Sequence, residues 1–250
     1  ADTGLLASLG LAEASVYRRL KVAFFSTGDE LRAVGEPLGP GEIHDSNRYT
    51  LYGMLKKLDV EIIDMGVVKD QRELIEQAFK KAAGCADVII TSGGVSVGEA
   101  DFVKEILEKL GSMSFWKIAM KPGRPVTFGQ LDDAVFFGLP GNPVSVMVTF
   151  FQFVRPALLK MSGETDAASV YSVRACTTMA LRKRPGRFEF QRGVLEQSVP
   201  GEFTVHSVGA QGSGILRSMS EANCFIMLEP EQSGIEAGQE VLVQPFQNLI

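Results

Sequence analysis

The sequence predicts an α/β protein, with a three-layer domain built on a mostly parallel sheet and then a small all-β barrel domain. Over the first two-thirds of the chain, short apolar runs alternate with segments of helical spacing, as in βαβ units. Beyond residue 163 the helical period disappears, and β-branched or aromatic runs separated by glycine turns replace it. We therefore predict domains at residues 21–165 and 166–250, with residues 1–20 as the tail of an N-terminal region that is missing.

The strands of the first domain are apolar runs that end in polar or glycine-rich loops. They are predicted at residues 22–25, 60–65, 87–91 and 134–137. Helices are predicted to begin at Asp45 or Ser46, at Asp70 and at Asp101, because these residue types cap helices well. Residues 115–128 contain Lys-Pro-Gly-Arg-Pro and predict a bent ribbon, and a long apolar helix follows from Pro143 to about residue 161.

The second domain is predicted from five short runs. They lie at residues 170–174, 188–192, 202–208, 223–229 and 240–243. Strands of this length, several of them separated by glycine turns, are typical of a small barrel.

Composition excludes several classes of protein. The 250 residues carry a net charge of −5, and a nucleic-acid-binding protein would normally have a basic excess. The three cysteines lie far apart without a CxxC pair, so neither a zinc ribbon nor a disulfide framework fits, and we expect a cytoplasmic protein. The longest apolar stretch, residues 134–154, is interrupted by prolines and polar residues, so no membrane span is predicted.

A ligand pocket is predicted at one edge of the parallel sheet. Loops that leave the carboxyl ends of parallel strands emerge at the same edge, and ligands bind there. Four polar, glycine-rich or acidic segments follow predicted strands, at residues 26–30, 69–70, 92–101 and 138–143.

The segment Thr91-Ser92-Gly93-Gly94 has paired glycines, which allow successive backbone N–H groups to point at an anion such as phosphate or molybdate. A plain strand-to-helix turn is the alternative. Gly93 and Gly98 have the spacing of a Walker phosphate-binding loop, but Glu99-Ala100 follows where Lys-Ser/Thr would be needed, which excludes a P-loop NTPase.

Charged residues near this edge suggest a metal and an anion. Glu30, Asp70 and Asp101 each follow a strand and together could hold Mg²⁺, although the two aspartates could instead be helix caps. Lys117 and Lys121 have the even spacing that places both on one face of an extended segment, where they could bind an anion or simply be solvated. The loop at residues 138–143 combines two prolines and two glycines, and this rigidity favours a functional role.

These motifs together resemble a known family. Phe-Phe-Ser-Thr-Gly-Asp-Glu-Leu at 24–31, Ser-Gly-Gly-Val-Ser-Val-Gly-Glu-Ala-Asp at 92–101, Lys-Ile-Ala-Met-Lys-Pro-Gly at 117–123 and Gly-Leu-Pro-Gly-Asn-Pro at 138–143 are similar to the MoeA-type molybdenum insertases, which are related to the C-terminal part of gephyrin. The runs at 185–193 and 223–226 resemble that family's small barrel. The resemblance covers nearly the whole chain and implies a MogA/MoaB-like α/β domain.

The resemblance implies an enzyme of molybdenum cofactor biosynthesis, a molybdopterin molybdenumtransferase. Such enzymes insert molybdate into adenylated molybdopterin with Mg²⁺ and release AMP. It implies a homodimer whose cleft is completed by an N-terminal portion, and, as further partners, the molybdopterin adenylyltransferase and molybdoenzyme chaperones.

The resemblance also implies roles for individual residues. Catalytic roles fall to Asp70, Asp101, Lys117 and Lys121, and Mg²⁺ binding to Glu30, Asp70 and Asp101. The implied substrate-binding residues are Ser92, Gly93, Gly94, Ser96, Pro140, Gly141, Asn142 and Pro143.

Two other functions stay open at this point. A molybdopterin adenylyltransferase has the same kind of α/β domain and Ser-Gly-Gly loop, but generally lacks the β-rich module predicted here. A non-catalytic dimerising scaffold is the other alternative, because the gephyrin relative also anchors receptors.

Overall fold

The computed structural model describes residues 1–93, 101–167, 171–198 and 201–246, except for the side chains of residues 101–104, 115 and 116. The helices are α1 Asp2–Ser8, α2 Ser46–Lys56, α3 Arg72–Ala83, α4 Asp101–Leu110, α5 Pro143–Thr149, α6 Arg155–Met161 and α7 Arg217–Glu221, with a π-helical stretch Phe150–Val154 between α5 and α6. The strands of the first part are β1 Lys21–Thr27, β2 Leu31–Arg32, β3 Ile43–His44, β4 Glu61–Val68, β5 Val88–Ser92, β6 Gly111–Lys117, β7 Met120–Lys121, β8 Pro125–Leu131 and β9 Ala134–Leu139. The strands of the second part are β10 Val173–Thr177, β11 Leu181–Arg182, β12 Phe188–Gln197, β13 Phe203–Ser207, β14 Cys224–Leu228, β15 Gly234–Ile235 and β16 Glu240–Pro245.

The first domain contains a six-stranded sheet in the order β4-β1-β5-β9-β8-β6. The pairs β4–β1, β1–β5 and β5–β9 are parallel, whereas β8 pairs antiparallel with both β9 and β6. The predicted mostly parallel sheet is therefore confirmed. The predicted bent ribbon is the pair β6 and β8, which are joined through the short strand β7.

Helices cover both faces of this sheet and produce three layers. Along β1 successive side chains point to opposite faces, so Val22 and Phe24 join one core cluster while Ala23 and Phe25 join the other. The first cluster contains buried residues of α2, α5 and α6, and the second contains those of α3 and α4. Near-continuous burial of β1 and β5 explains why both read as unbroken apolar runs rather than as alternating ones.

The second domain is a closed five-stranded barrel. Its strands follow the order β13-β10-β16-β14-β12, and an additional pairing of β12 with β13 closes the circle. The short strand β7 of the first domain extends this sheet by pairing with β12. Val205, Ile226 and Val243 are fully buried in the barrel's core.

The two domains share one apolar core. The helix Pro143–Met161 is, of the described helices, the one long and apolar enough by length and composition to cross a membrane. Its buried side chains belong to the same cluster as Phe190, Phe225 and Phe246 of the barrel. The Phe151 and Phe225 ring centroids lie 6.2 Å apart. Packing in this core accounts for the helix's apolar character.

Some predicted boundaries were wrong. Helix α3 begins two residues later than predicted, with Gln71 rather than Asp70 at its N-cap. Strand β10 begins at Val173, three residues after the predicted start. Helix α7 lies in the barrel region, where no helix was predicted, because five residues are too few to show a helical period.

Candidate functional site

The carboxyl ends of the central parallel strands lie side by side. Ser26 near the end of β1 is opposite Ser92 of β5, and Ser92 is opposite Leu139 of β9. The Ser26 and Ser92 hydroxyls are 3.0 Å apart and hydrogen-bonded, and both side chains are buried. The loops after β1, β5 and β9 therefore leave the sheet together, as predicted from the order of the segments.

The loop after β1 turns back on itself at Gly28. Gly28 has a φ of +151°, and because it has no side chain it leaves room for the Glu30 carboxylate. A Cβ at this position would lie 2.6 Å from Glu30 Oε2. The neighbouring Asp29 accepts a hydrogen bond from the backbone N–H of Asp70 at 3.2 Å. Asp29 thus ties the loop after β1 to the loop after β4, and in doing so positions the backbone of Asp70.

Gly93 follows β5 in a left-handed conformation with φ +86°. A Cβ here would lie 2.6 Å from the carbonyl oxygen of Thr27, so the close approach of the two loops requires glycine. Its N–H donates to the carbonyl of Leu139 at 3.2 Å. Ser92 and Gly93 are thereby fixed at the predicted edge, whereas Gly94 and Ser96 lie outside the described residues.

The rigid loop before α5 completes this edge. Pro140 is buried, Asn142 is the N-cap residue of α5, and Pro143 is its first helical residue. Gly141 presents its carbonyl oxygen to Asn47 Nδ2 at 2.7 Å, which joins this loop to the start of α2. The barrel reaches the same loop, because the N–H of Val144 donates to the carbonyl of Ser213 at 3.0 Å.

Two cavities open at this edge. The larger one, of about 770 Å³, lies beside the loop after β1, and Asp29, Arg32, Arg48 and Lys69 are among its lining residues. The smaller one, of about 80 Å³, lies where the ends of β1 and β5 meet the loops before α2 and α5. Glu30 contributes to the lining of the smaller cavity.

Arg48 is a cation of the larger cavity that a neighbouring carboxylate holds in place. Its Nε donates to both carboxylate oxygens of Asp64, at 2.8 and 3.0 Å, and this contact raises the pKa of Arg48. The exposed Lys69 ammonium and the Arg32 guanidinium add positive charge to the lining, while Asp29 adds negative charge. The cavity therefore offers both cations and hydrogen-bond acceptors to a polar ligand.

The two predicted lysines do not lie on one extended strand. Lys117 is exposed at the end of β6 in the first sheet, whereas Lys121 belongs to β7 in the barrel's sheet. The chain bends between them and again after Lys121, where the peptide bond to Pro122 is cis. Lys121 Nζ donates to Glu189 Oε1 at 3.0 Å, so it is already an ion-pair partner, and the expected common face was wrong.

The three acidic residues that are predicted to bind Mg²⁺ lie on three different segments of the chain. Glu30 is exposed after β1, Asp70 is half-buried after β4, and Asp101 is the first residue of α4, its side chain lying outside the described part. Within the described residues no three His, Cys, Asp or Glu side chains are grouped so that they could hold a metal ion. The predicted trio stays a prediction, because one of its members is not described.

Sequence reasoning assigned no role to Arg192, whose side chain is 1% exposed. Its Nε donates to Ser218 Oγ at 3.0 Å and its Nη2 donates to the carbonyls of Gly212 and Ala210 at 3.0 and 3.4 Å. Burial lowers the pKa of Arg192 to about 10, and the charge of Glu189 acts in the opposite direction. A buried guanidinium held by neutral groups braces the barrel loop that reaches α5. The signal in the sequence was an arginine in the predicted strand at residues 188–192, where it continues the alternation that begins with two phenylalanines.

A mostly parallel α/β domain with glycine and proline loops at its carboxyl edge, joined to a closed barrel, defines a class of two-domain protein, and in open α/β sheets this edge is where ligands generally bind. Residues 23–160 match the family described as "Probable molybdopterin binding domain", and residues 174–246 match the "MoeA C-terminal region (domain IV)". The chain therefore belongs to the MoeA-type molybdopterin-binding family.

Individual relatives support this assignment. The chain is 50% identical to the molybdopterin molybdenumtransferase of Haemophilus influenzae over 246 residues, which is 98% of this chain and 61% of that protein. It is 37% identical to the Nostoc molybdopterin molybdenumtransferase over 97% of this chain and 57% of that protein. A crystal structure of the molybdopterin biosynthesis MoeA protein from Pyrococcus horikosii superposes with a TM-score of 0.80 at 31% identity, covering 98% of this chain and 59% of that one. The chain thus spans about 60% of the length of such relatives.

Proposed function

We propose that this chain is the substrate-binding and catalytic portion of a molybdopterin molybdenumtransferase, which inserts molybdate into adenylated molybdopterin and releases AMP. The observation that carries the proposal is the 50% identity to the Haemophilus influenzae molybdopterin molybdenumtransferase over 98% of this chain. In this reaction an oxygen of molybdate attacks the phosphoanhydride between the pterin phosphate and AMP, the P–O–P bond breaks and AMP leaves. The two dithiolene sulfurs replace two molybdate oxygens, one of which stays on the attacked phosphate while the other leaves as water with the two thiol protons.

The geometry at the sheet edge supports binding of a large, polar substrate. Three loops meet there in a fixed arrangement, through the Ser26–Ser92 hydrogen bond, the Gly93–Leu139 hydrogen bond and the Asn47–Gly141 hydrogen bond. A site held by such contacts is preorganised, so little ordering is needed when the ligand binds. The large and small cavities at this edge could each hold one end of an elongated ligand.

The two lysines would act differently on an anionic substrate. Lys117 is exposed, so we propose that its ammonium contacts the phosphate or the molybdate directly. Lys121 forms an ion pair with Glu189, and its side chain is 43% exposed. We therefore propose that Lys121 contacts the anion while the Glu189 carboxylate orients it.

Mg²⁺ is part of the proposal because carboxylate oxygens are the ligands that it prefers. Glu30 and Asp70 follow the neighbouring parallel strands β1 and β4, which places both at the same edge of the sheet. Together with Asp101 they would hold the ion, which when bound neutralises phosphate charge. The donor set fits the ion chemically.

We also propose that the active protein is a cytoplasmic homodimer. The chain spans 61% of its Haemophilus influenzae relative, so a portion of that longer protein has no counterpart here. In this proposal that portion supplies the wall facing the sheet edge, across the dimer. Transfer of substrate from a molybdopterin adenylyltransferase, and of product to molybdoenzyme chaperones, belongs to the same proposal.

The function is tested by nucleotide mass balance with adenylated molybdopterin and Mg²⁺, with and without molybdate. Molybdate-dependent release of AMP supports the proposal, either by this chain alone or after addition of the N-terminal part of a relative. AMP release that does not depend on molybdate would contradict the proposal, and so would the absence of AMP release both by the chain alone and after addition of that N-terminal part.

Lys117→Ala provides the variant and Lys160→Ala the matched control. Both lysines are exposed, but Lys160 lies in the last turn of α6, at the opposite end of the long helix from the loop before α5. We expect Lys117→Ala to slow molybdate-dependent AMP release by tenfold or more, as is typical when a charged hydrogen bond to a substrate is lost. Equal rates of AMP release in the two variants would show that Lys117 does not contact the substrate.

A further inference from the structure

The second domain reaches the edge of the parallel sheet through the barrel loop, residues 208–216, which joins β13 to α7. The backbone N–H of Val144, in the first turn of α5, donates to the carbonyl of Ser213 at 3.0 Å. Beside this contact, a Cβ added to Gly214 would lie 3.9 Å from Asn142 Oδ1, so the barrel loop passes close to the Asn142 side chain. A segment of the barrel thus borders the rigid loop at residues 138–143.

The barrel loop caps α5 in place of the usual side chain. Asn142 occupies the N-cap position with φ −71° and ψ 129°, and asparagine is among the residues that cap helices best. The side chain of an N-cap residue normally accepts the N–H of the second or third helical residue. Here the second residue, Val144, donates to the Ser213 carbonyl, and the Asn142 side chain makes no cap hydrogen bond. The Ser213 carbonyl has therefore taken over this part of the capping.

The Asn142 amide is consequently available to a ligand. Asn142 is exposed, and its side chain makes no hydrogen bond to another described residue. The backbone beside it is held on one side by Ser213 and on the other by the 2.7 Å hydrogen bond from Asn47 to the Gly141 carbonyl. An unbonded amide on a backbone that is held from both sides is a preorganised group, which offers two N–H donors and an acceptor oxygen.

Gln211 holds the barrel loop in its position. Its Oε1 accepts the backbone N–H of Arg192 at 2.8 Å, and its Nε2 donates to the carbonyls of Arg192 and Val208 at 3.1 and 2.6 Å. The pairing of β12 with β13 ends at Gly193, so the Gln211 amide bonds the preceding residue of β12 where no strand partner remains. One side chain thereby fixes the point at which the barrel loop leaves the barrel, just before Ser213.

We infer that the barrel loop positions Asn142 to bind an oxyanion of the substrate, and that Gln211 is the positioning residue that holds this loop. By capping α5 through Ser213, the loop leaves the two N–H donors of the Asn142 amide for the ligand. Phosphate and molybdate oxygens accept such hydrogen bonds, and the proposed substrates contain both groups. The inference rests on the proposed function, and it gives the barrel a role in the reaction, which is to prepare the substrate loop of the other domain.

The first test measures thermal unfolding of Asn142→Ala. In a chain of this size, the loss of a working N-cap side chain lowers the Tm by about 2–4 °C. Because Ser213 caps α5, we expect Asn142→Ala to lower the Tm by less than about 2 °C. A decrease of about 2 °C or more would show that the Asn142 side chain itself caps the helix, and it would overturn the inference.

The second test measures KM and kcat for molybdate-dependent AMP release, with adenylated molybdopterin and molybdate varied separately. Asn142→Ala should raise one KM about tenfold, the usual effect of losing a hydrogen bond to a charged group, and the substrate concerned is the one that Asn142 contacts. Gln211→Ala should raise the same KM about threefold or more and leave kcat within about twofold, because binding of the substrate then has to order the loop. Unchanged KM values in either variant would overturn the inference.

The double variant Asn142→Ala/Gln211→Ala shows whether Gln211 acts through Asn142. If it does, Gln211→Ala raises KM less than about twofold once residue 142 is alanine, whereas multiplication of the two single effects would mean that Gln211 acts elsewhere. All variants are assayed well below their Tm, because a loss of folded protein lowers the apparent kcat and leaves KM unchanged.

Gln239→Ala is the matched control for Gln211→Ala. Gln239 also braces a turn of the barrel, by accepting the backbone N–H of Glu236 at 2.9 Å, but this turn is hydrogen-bonded to Thr177 rather than to α5. Its KM values should equal those of the wild type. An increase in KM as large as that of Gln211→Ala would show that any disturbance of the barrel has this effect, and the specific role of the barrel loop would be refuted.

Failure of this inference and failure of the proposed function give different results. If the wild type releases AMP with molybdate and the KM values are unchanged in Asn142→Ala and Gln211→Ala, the function stands and the barrel loop only stabilises the fold. If the wild-type chain releases no AMP, either alone or with the N-terminal part of a relative, the proposed function itself fails, and the inference fails with it.

Discussion

Replacing Gly93 by alanine should destabilise the fold through two separable effects. The left-handed φ of +86° costs an L-residue about 1–2 kcal/mol. The added Cβ would also lie 2.6 Å from the Thr27 carbonyl oxygen, which belongs to the backbone at the end of β1 and cannot swing away. Overpacking of this kind typically costs a further 1–3 kcal/mol, so the total loss in the free energy of unfolding should be about 2–5 kcal/mol.

Gly41→Ala isolates the backbone effect. Gly41 has a similar φ of +80°, but no described heavy atom lies within 4 Å of the position its Cβ would take. Equilibrium unfolding in urea, followed by far-ultraviolet circular dichroism, should give a loss of about 1–2 kcal/mol for Gly41→Ala and at least 1 kcal/mol more for Gly93→Ala. Equal losses in the two variants would refute the close approach of the loops after β1 and β5.

Three further changes test other contacts. Asp87 accepts hydrogen bonds from Arg18, and these contacts lower the pKa of Asp87 from its ordinary value of 3.8. The ionised carboxylate therefore stabilises the fold above pH 3.8, and this stabilisation is lost as the pH falls through the lower pKa of the folded state. Urea unfolding between about pH 3 and 6 should therefore show a shallower acid decline for Asp87→Asn than for the wild type, and parallel curves would contradict this. Lys121→Met removes the cation that pairs with the nearly buried Glu189 carboxylate and should lower the free energy of unfolding by about 1–3 kcal/mol. Thermal unfolding should show a larger loss for Lys121→Met than for Glu189→Gln, and the reverse order would show that the ion pair is unimportant. Phe225→Ala removes a fully buried ring that contacts aromatic side chains of both domains and should cost about 3–5 kcal/mol, whereas a loss below about 1 kcal/mol would argue against a shared core.

Much of the fold could be predicted because its signals are local. The apolar runs of β1 and β5 reflect burial on both faces of a parallel sheet. Asp45, the cap of α2, was one of two candidates, with Ser46, that residue type and position indicated. The edge at which the loops meet followed from strand order. Each of these inferences needs only neighbouring residues and a general rule of topology.

Contacts between distant segments could not be predicted in this way. Lys183 lies in an Arg-Lys-Arg run that is typical of a solvated hairpin, yet its Nζ donates to three backbone carbonyls, including those of Pro230 and Gln232, and the residue is buried. Lys121 has the spacing of a strand shared with Lys117, but a bend carries it into the barrel's sheet, where it meets Glu189. In each case the partner lies more than forty residues away, and no local pattern identifies it.

The contacts that hold the site edge together illustrate the same limit. Ser26 and Asn47 each have an ordinary local explanation, as a residue near a strand end and as a helical residue. Their hydrogen bonds to Ser92 and to the carbonyl of Gly141 join segments that are 66 and 94 residues apart. These contacts become visible only when the sheet brings the loops together.

Hydrogen–deuterium exchange with and without adenylated molybdopterin tests the central claim most directly, namely that the ligand binds at the carboxyl edge of the parallel sheet. We predict slower exchange in peptides covering residues 27–31, 45–48, 91–93 and 138–143, and unchanged exchange in the barrel peptides that line the separate cavity near Tyr171, Leu195 and Phe203. Protection confined to those barrel peptides, or no protection at the sheet edge at a saturating concentration of ligand, would contradict the account.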